Sequence, residues 1–220
     1  MLNVYLKESA QPAQACMIWM HGLGADAQDM AGLAAQPQFA HFPIRHVFLD
    51  APVRSVTING GMSMRAWYDI LSLDIAVDED KEGVLSAAKE IAAVIEEQKK
   101  TGFASQDIYL AGFSQGGAMA LFTALHRHEP LAGVIALSAY LPLLNECRPT
   151  LPDTTPMFIA NGRYDPIVQP AWTKECLQWL GSHGYNHVSR HEYPMEHTIC
   201  LEEMDDLAHW LSLRLQEKGQ

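Results

Sequence analysis

Short apolar runs alternate with helical patterns along most of this 220-residue chain. Most of the runs are continuous, are rich in β-branched and aromatic residues, and are bounded by glycine, proline or aspartate, as is typical of buried parallel strands. They are Cys16–Met20, Val47–Leu49, Ile108–Ala111, Gly133–Leu137, Met157–Ala160 and Val188–Tyr193. The helical patterns are Lys81–Lys100, Gly116–Arg127, Trp172–His183 and Ile199–Gln216. This order predicts an α/β fold with a mostly parallel central sheet and helices on both faces.

The length suits one domain, residues 1–220, because single hydrophobic cores grow to roughly 250 residues before chains divide. One apolar excursion, at about residues 51–74, is longer than a connection between a strand and a helix requires. Its NGG sequence at residues 59–61 predicts the turn of a small hairpin. The excursion is compatible with an extra flap of the core and, equally, with one wall of an acyl pocket.

The net charge and the cysteines limit the partners and the cellular location that we expect. The formal net charge is -11 at pH 7, which argues against nucleic acid and anionic membrane surfaces as partners. The N-terminal residues show no signal-peptide pattern, and no apolar run approaches the roughly 20 residues of a membrane span. The four cysteines are scattered, without a CxxC pair, so we expect reduced thiols in a cytoplasmic protein.

The pentapeptide GFSQG at residues 112–116 matches the pattern G-x-S-x-G. It follows an apolar strand and opens an apolar helix, which is the setting in which this pattern presents a nucleophilic serine. Ser114 is therefore the candidate nucleophile, and the alternative is a serine that only caps the helix. The loop HGLGAD at residues 21–26 also follows a strand, so the backbone amides of Leu23 and Gln115 are the candidate oxyanion donors. A phosphate-binding loop is the competing interpretation, but neither of its glycine patterns is complete.

In this fold the acid and then the histidine follow the serine along the chain. Asp165 lies just beyond an apolar strand, whereas Asp153 precedes that strand and falls at the opposite end of the sheet. His197 lies between the last strand and the C-terminal helix. His183, His187 and His191 recur every fourth residue, but Gly184 interrupts the helix that a zinc site would need there.

These segments together resemble the bacterial carboxylesterase and acyl-protein thioesterase family of α/β-hydrolases, which includes lysophospholipase-like members. The resemblance extends over HGLGAD, PVRSVTINGGMSMRAWYDI, AGFSQGGAMALFTAL, ALSAYLPL, NGRYDPIV and PMEHTICLEEMDDLAHWL. It implies a triad of Ser114, Asp165 and His197, with Leu23 and Gln115 as oxyanion donors. It also implies that the segment from Trp67 to Leu73, including Leu71, lines the acyl site together with Tyr140 and Ile167. Two departures are Pro194, where the family often has glycine, and Tyr140, where it often has tryptophan.

The resulting hypothesis is a serine carboxylesterase that forms an acyl-serine intermediate and needs no cofactor or metal. An acyl-protein thioesterase or a lysophospholipase with the same triad is the first alternative, and a non-catalytic acyl-binding module is the second. The expected partners are small-molecule or lipid esters or thioesters. We expect no nucleic-acid partner, no integral membrane segment, and a monomer or homodimer.

Overall fold

The computed structural model of the chain describes residues 2–72 and 78–217. In chain order the strands are β1 (Asn3–Lys7), β2 (Ala15–Met20), β3 (Ile44–Asp50), β4 (Val53–Val56), β5 (Met62–Arg65), β6 (Ile108–Phe113), β7 (Gly133–Leu137), β8 (Met157–Gly162) and β9 (Val188–Tyr193). The helices are α1 (Ala27–Ala34), α2 (Lys81–Lys100), α3 (Gln115–Leu125), α4 (Pro170–Ser182) and α5 (Leu201–Glu217).

Seven of these strands form one sheet in the order β1-β3-β2-β6-β7-β8-β9. Strand β1 pairs with β3 in the antiparallel direction, and all the other neighbours in this sheet are parallel. Because parallel strands end at a common edge, the loops that follow β2, β6, β7, β8 and β9 lie together. The predicted mostly parallel sheet is confirmed.

Helices cover both faces of the sheet, as the continuous apolar strands require. Every residue of β2 is buried, and its side chains alternate between two apolar clusters. Cys16, Ile18 and Met20 pack with side chains of α2, α3 and α4, whereas Met17 and Trp19 pack with those of α1 and α5. The central strands are therefore inaccessible from either side, and the functional surface is left to the loops at the strand ends.

Two elements are absent from the sequence-based assignment. Strand β1 is exposed along its whole length and lies at the edge of the sheet, so it lacks the buried apolar pattern of the central strands. Helix α1 is capped by Asp26, whose side chain accepts hydrogen bonds from the amides of Gln28 and Asp29, while the Asp29 carboxylate accepts from the Asp26 amide. This is a capping box with aspartate in the position that glutamate usually takes.

The predicted hairpin is present within the excursion. Strands β4 and β5 pair in the antiparallel direction, and a short turn of 3₁₀ helix at Thr57–Asn59 connects them. Gly60 and Gly61 follow this turn with φ angles of 66° and 80°, a region that residues with a Cβ rarely adopt. The amide of Ile58 donates to the carbonyl of Ile70, which holds the hairpin beside the segment that follows it.

Candidate active site

Ser114 occupies a sharp turn between β6 and α3. Its φ of 55° and ψ of −123° lie outside the regions favoured by residues other than glycine, and its amide donates to Leu137 of the neighbouring strand at 2.8 Å. The turn is tight enough to require glycine on both sides. A Cβ on Gly112 would lie 2.3 Å from the backbone of Gly116, and a Cβ on Gly116 would lie 2.1 Å from the carbonyl oxygen of Met20.

The Ser114 hydroxyl does not cap helix α3, which excludes the alternative role considered from the sequence. Instead its Oγ lies 2.9 Å from Nε2 of His197. The other ring nitrogen of His197, Nδ1, lies 2.7 Å from Oδ2 of Asp165. A carboxylate can only accept hydrogen bonds, so Nδ1 carries the proton and Nε2 is free to accept from the serine hydroxyl. The three predicted side chains therefore form one hydrogen-bonded chain.

Asp165 is held by the loop that follows β8. It is almost fully buried, and its Oδ1 accepts hydrogen bonds from the amides of Ile167 and Val168 at 2.8 and 2.9 Å. Two amides thus satisfy one carboxylate oxygen and leave the other to His197. The two amides and the imidazole together keep the carboxylate in one orientation.

His197 lies in the loop between β9 and α5, which packs tightly on the end of β8. A Cβ on Gly162 would lie 2.4 Å from the carbonyl oxygen of Glu196 and 2.5 Å from that of Met195. The amide of Tyr164 donates to the same Met195 carbonyl at 3.0 Å. The ring of Phe113, the residue before the nucleophile, lies against the imidazole at a centroid distance of 4.8 Å. The loop is therefore positioned from both β8 and β6.

The glycine-rich loop after β2 lies directly beside the nucleophile. A Cβ on Gly22 would be in van der Waals contact with the Cβ of Ser114 at 3.4 Å. Gly24 has a φ of 75°, and its amide donates to the carbonyl of Arg65 on the hairpin. Among the residues that the structure describes, none accepts a hydrogen bond from the Leu23 amide or from that of Gln115, the first residue of α3. Both predicted donors are thus free to bind a substrate oxygen.

His21, at the start of this loop, is fully buried. Its Nε2 accepts a hydrogen bond from the amide of Ala51 at 3.0 Å, so its Nδ1 carries the proton that is donated to the carbonyl of Gly22 at 2.7 Å. Burial lowers the pKa of His21, although the bond to Gly22 partly opposes this. The neutral ring therefore holds the glycine-rich loop against the end of β3.

Trp67 links the two candidate oxyanion donors. Its indole N–H donates to the carbonyl of His21 at 2.9 Å, and its backbone N–H donates to Oε1 of Gln115 at 2.9 Å. The Gln115 side chain also donates to the carbonyl of Tyr68 at 2.8 Å. The glycine-rich loop and the first residue of α3 are thus connected through one buried tryptophan.

A cavity of about 260 Å³ opens beside Ser114. Besides Ser114, Gln115 and Ser72, its lining is largely apolar or aromatic and consists of Leu23, Ile58, Tyr68, Ile70, Tyr140, Pro166, Ile167, Val168, Gln169 and Trp172. Of the predicted substrate-binding residues, Tyr140 and Ile167 belong to this lining. The sequence pattern predicted a helix from Trp172 but no place for this residue in the cavity wall; it lies near the start of α4 and contacts Tyr140 edge to face.

Two other predicted lining residues lie elsewhere, and a third is outside the described residues. Tyr68, Ile70 and Ser72 line the cavity, so every second residue of this segment faces it. Trp67 is absent from the lining, and its indole instead donates to the carbonyl of His21; the half-buried Leu71 is also absent from the lining. The prediction that Trp67 and Leu71 line the wall is therefore wrong, and the residues that follow them in the chain, Tyr68 and Ser72, line it instead. Leu73 lies outside the described residues.

The three regularly spaced histidines do not converge. His183 stacks on Trp179 and bonds to its carbonyl, whereas His191 lies on β9 beside Ser189 and Asp206. Within residues 2–72 and 78–217, no group of three or more His, Cys, Asp or Glu side chains is arranged to hold a metal ion. The helices in the same part of the chain are all too short or too polar to cross a membrane.

Comparison with known proteins agrees with this geometry. The sequence profile of the family described as Phospholipase/Carboxylesterase matches residues 3–215. Acyl-protein thioesterase 1 of Mycosarcoma maydis is 37% identical over 218 residues, which cover 90% of each chain, and acyl-protein thioesterase 1 of Kluyveromyces lactis is 35% identical with 97% of each chain covered. The crystal structure of acyl-protein thioesterase 2 of Zea mays has the same fold, with a TM-score of 0.84, 24% identity, and coverage of 97% of this chain and 99% of that one. The chain belongs to the phospholipase/carboxylesterase family of α/β-hydrolases and is a hydrolytic enzyme of the serine-hydrolase type.

Proposed function

We propose that this enzyme hydrolyses carboxylic esters through an acyl-serine intermediate, with Ser114 as nucleophile, His197 as general base and Asp165 as the group that orients the base. The supporting observation is the continuous contact from Oγ of Ser114 to Nε2 of His197 at 2.9 Å and from Nδ1 to Asp165 at 2.7 Å. Side chains 83 and 32 residues apart along the chain meet at one edge of the sheet.

In the first step the Ser114 hydroxyl attacks the ester carbonyl while its proton moves to Nε2 of His197. The buried Asp165 carboxylate stabilises the imidazolium that forms and keeps the ring in the orientation that accepts the proton. The imidazolium then protonates the leaving alcohol or thiol as the tetrahedral intermediate collapses. The acyl group is left on Ser114.

The second step repeats the first with water. His197 takes a proton from the water molecule that attacks the acyl-serine, and then returns it to Ser114 as the acid leaves. In both steps the substrate oxygen becomes an anion, which we assign to the amides of Leu23 and Gln115. Such a donor contributes about 3–4 kcal/mol to catalysis in a serine hydrolase.

The experiment that tests this proposal is labelling with a fluorophosphonate, which reacts with an activated serine. We expect labelling of the wild-type protein and none of Ser114→Ala. Ser138→Ala is a matched control, because Ser138 is also buried at a strand end but its hydroxyl has no hydrogen-bond partner among the described residues. If the wild-type protein takes up no probe, a non-catalytic acyl-binding module replaces the esterase proposal.

The leaving group distinguishes the remaining alternatives. The names of the relatives, acyl-protein thioesterase 1, favour a thioester, and the cavity beside Ser114 suits an acyl chain of either kind of substrate. Turnover of short p-nitrophenyl esters, long-chain acyl thioesters and a lysophospholipid can be compared in one panel. A clear preference for long thioesters would replace the simple esterase with a thioesterase that uses the same residues.

A cytoplasmic location and a monomeric or homodimeric state stay predictions.

A further inference from the structure

Two tyrosines meet on the buried side of the cavity beside Ser114. The phenolic oxygens of Tyr68 and Tyr140 lie 2.7 Å apart, and only 3% and 8% of these residues is exposed. Ile167, by contrast, is 60% exposed at the mouth of the same cavity. A chain that enters from the mouth past Ser114 would therefore approach the two hydroxyls.

The hydrogen bond between the two hydroxyls needs only one of their two protons. Each phenol has one proton, and one of the two is donated within the pair. No other described group accepts a hydrogen bond from Tyr68 or Tyr140. Burial raises the pKa of both phenols, so both protons are retained at neutral pH. One O–H donor is thus left over in a cavity whose wall is otherwise largely apolar, and an occupant with an acceptor oxygen would satisfy it.

A nearby negative charge limits the kind of group that can accept a hydrogen bond from the two tyrosines. Tyr140 and Trp172 also line a smaller cleft of about 50 Å³, together with Glu79, Asn145 and Glu175. The negative charge of Glu79 acts on both phenols. An anionic group at this end of the cavity would be repelled, whereas a neutral oxygen would not.

We propose that Tyr68 and Tyr140 form a hydrogen-bonding subsite for a neutral oxygen on the acyl chain of the substrate, in the form of a hydroxyl, keto or ether group. The inference rests on the proposed function, because it takes the cavity beside Ser114 as the acyl site. It narrows the substrate class from acyl esters in general to oxygen-substituted acyl groups.

The test compares substrates that differ in a single atom. It uses p-nitrophenyl octanoate and a series of analogues in which one methylene beyond the fourth carbon is replaced by an ether oxygen. An ether oxygen accepts a hydrogen bond but donates none, and the chain keeps nearly the same shape. Each kcat/KM is divided by the rate of hydroxide-catalysed hydrolysis of the same ester, so that intrinsic reactivity is removed.

For the wild-type enzyme we expect one position in the series to give a corrected kcat/KM roughly threefold to tenfold above that of octanoate. The double variant Tyr68→Phe/Tyr140→Phe should lose this preference. Each single variant keeps one hydroxyl with a free proton, so it should keep the preference. Tyr5→Phe, which changes an exposed tyrosine of β1 that does not line the cavity, is the matched control and should behave as the wild type.

Two results would overturn the subsite: a series in which no ether analogue exceeds octanoate in the wild type, or a preference that persists in the double variant. If thermal unfolding shows that the double variant does not fold, the wild-type series decides alone. Fluorophosphonate labelling separates the two levels of inference. If the enzyme is labelled and active but shows no preference within the series, only the subsite proposal is wrong. If the protein is neither labelled nor active, both the proposed function and the subsite are wrong.

Discussion

The Oε1 atom of Gln115 accepts a hydrogen bond from the backbone N–H of Trp67 at 2.9 Å, although 48 residues separate them in the chain. Both polar atoms of the Gln115 side chain are hydrogen-bonded, since its Nε2 donates to the carbonyl of Tyr68. The residue that offers one oxyanion donor through its backbone thus holds the cavity wall through its side chain. Because Trp67 also bonds to His21, the position of one candidate donor is tied to that of the other.

Replacing Gln115 by alanine tests this link, because the variant keeps the backbone N–H and loses only the side chain. We expect kcat to fall about tenfold to a hundredfold, since small displacements of a catalytic group have effects of that size. KM should change less than kcat. The free energy of unfolding should fall by roughly 2–4 kcal/mol, because a buried amide and a buried carbonyl lose their partners. Gln36→Ala, which truncates an exposed glutamine, is the control. An unchanged kcat in a destabilised variant would show that the link is structural only.

Asp165→Asn tests the assignment of the acid. The asparagine oxygen can still accept from Ile167 and Val168, but its NH₂ group would then face His197 and favour the ring form with the proton on Nε2. That form cannot accept the Ser114 proton, so we expect kcat to fall by about three to four orders of magnitude.

Asp153→Asn is the matched control for this substitution. Asp153 is the other acid near β8, but it is exposed and precedes the strand, whereas Asp165 follows it. Steady-state kinetics of both variants on one ester should show a large loss only for Asp165→Asn. Equal activity of the two variants would contradict the triad.

Gly162→Ala tests whether the His197 loop depends on its contact with β8. The added Cβ would overlap the carbonyl oxygens of Met195 and Glu196, so the loop must shift and carry His197 with it. We expect kcat to fall by at least about tenfold. Gly181→Ala in helix α4 is the control, because its added Cβ would have no atom within 4 Å apart from its chain neighbours and the backbone of its own helix. It should leave kcat unchanged and raise the free energy of unfolding by up to about 1 kcal/mol. A fully active Gly162→Ala enzyme would show that the loop is positioned by other contacts.

The central sheet and the nucleophile turn were predictable because their signals are local. A buried parallel strand is a continuous apolar run, and the glycines around Ser114 are required by contacts as short as 2.1 Å. The order of the acid and the histidine along the chain then selected Asp165 and His197 from several candidates. The structure brings these side chains together, and their catalytic roles stay predictions for the experiments above.

The other parts of the fold and site were not predicted, because no sequence pattern marks them. Strand β1 is exposed, and the capping box of α1 uses Asp26 and Asp29 in place of the usual residue types. The predicted segment contributes to the cavity wall, but the sequence did not show which of its residues face the cavity, because Trp67 and Tyr68 are both large aromatic residues and both are buried. The cavity lining and the hydrogen bonds of Trp67 show that Tyr68 faces the cavity.

Glu203 near the start of α5 predicts an unusual dependence of stability on pH. It is fully buried, and neither of its carboxyl oxygens has a hydrogen-bond partner at normal geometry among the described residues. Burial raises the pKa of this carboxyl to about 8, with a smaller opposing effect of the Cys200 backbone. In the unfolded chain the carboxyl ionises near its ordinary pKa of 4.5, so between these two pH values the folded protein binds the extra proton. Stability attributable to Glu203 is therefore lost as the pH rises from about 4.5 to about 8.

Glu203→Gln removes this titration and keeps the shape of the side chain. The free energy of unfolding of this variant, relative to that of the wild type, should increase with pH. Because one pKa unit corresponds to about 1.4 kcal/mol, the difference should be larger at pH 8 than at pH 4.5 by about 3–5 kcal/mol. Chemical denaturation at a series of pH values measures this difference. Glu202→Gln, the exposed neighbour on the same helix, should follow the wild type at every pH. Parallel stability curves for Glu203→Gln and the wild type would mean that the buried carboxyl is ionised in the folded protein, with a partner that offsets its charge.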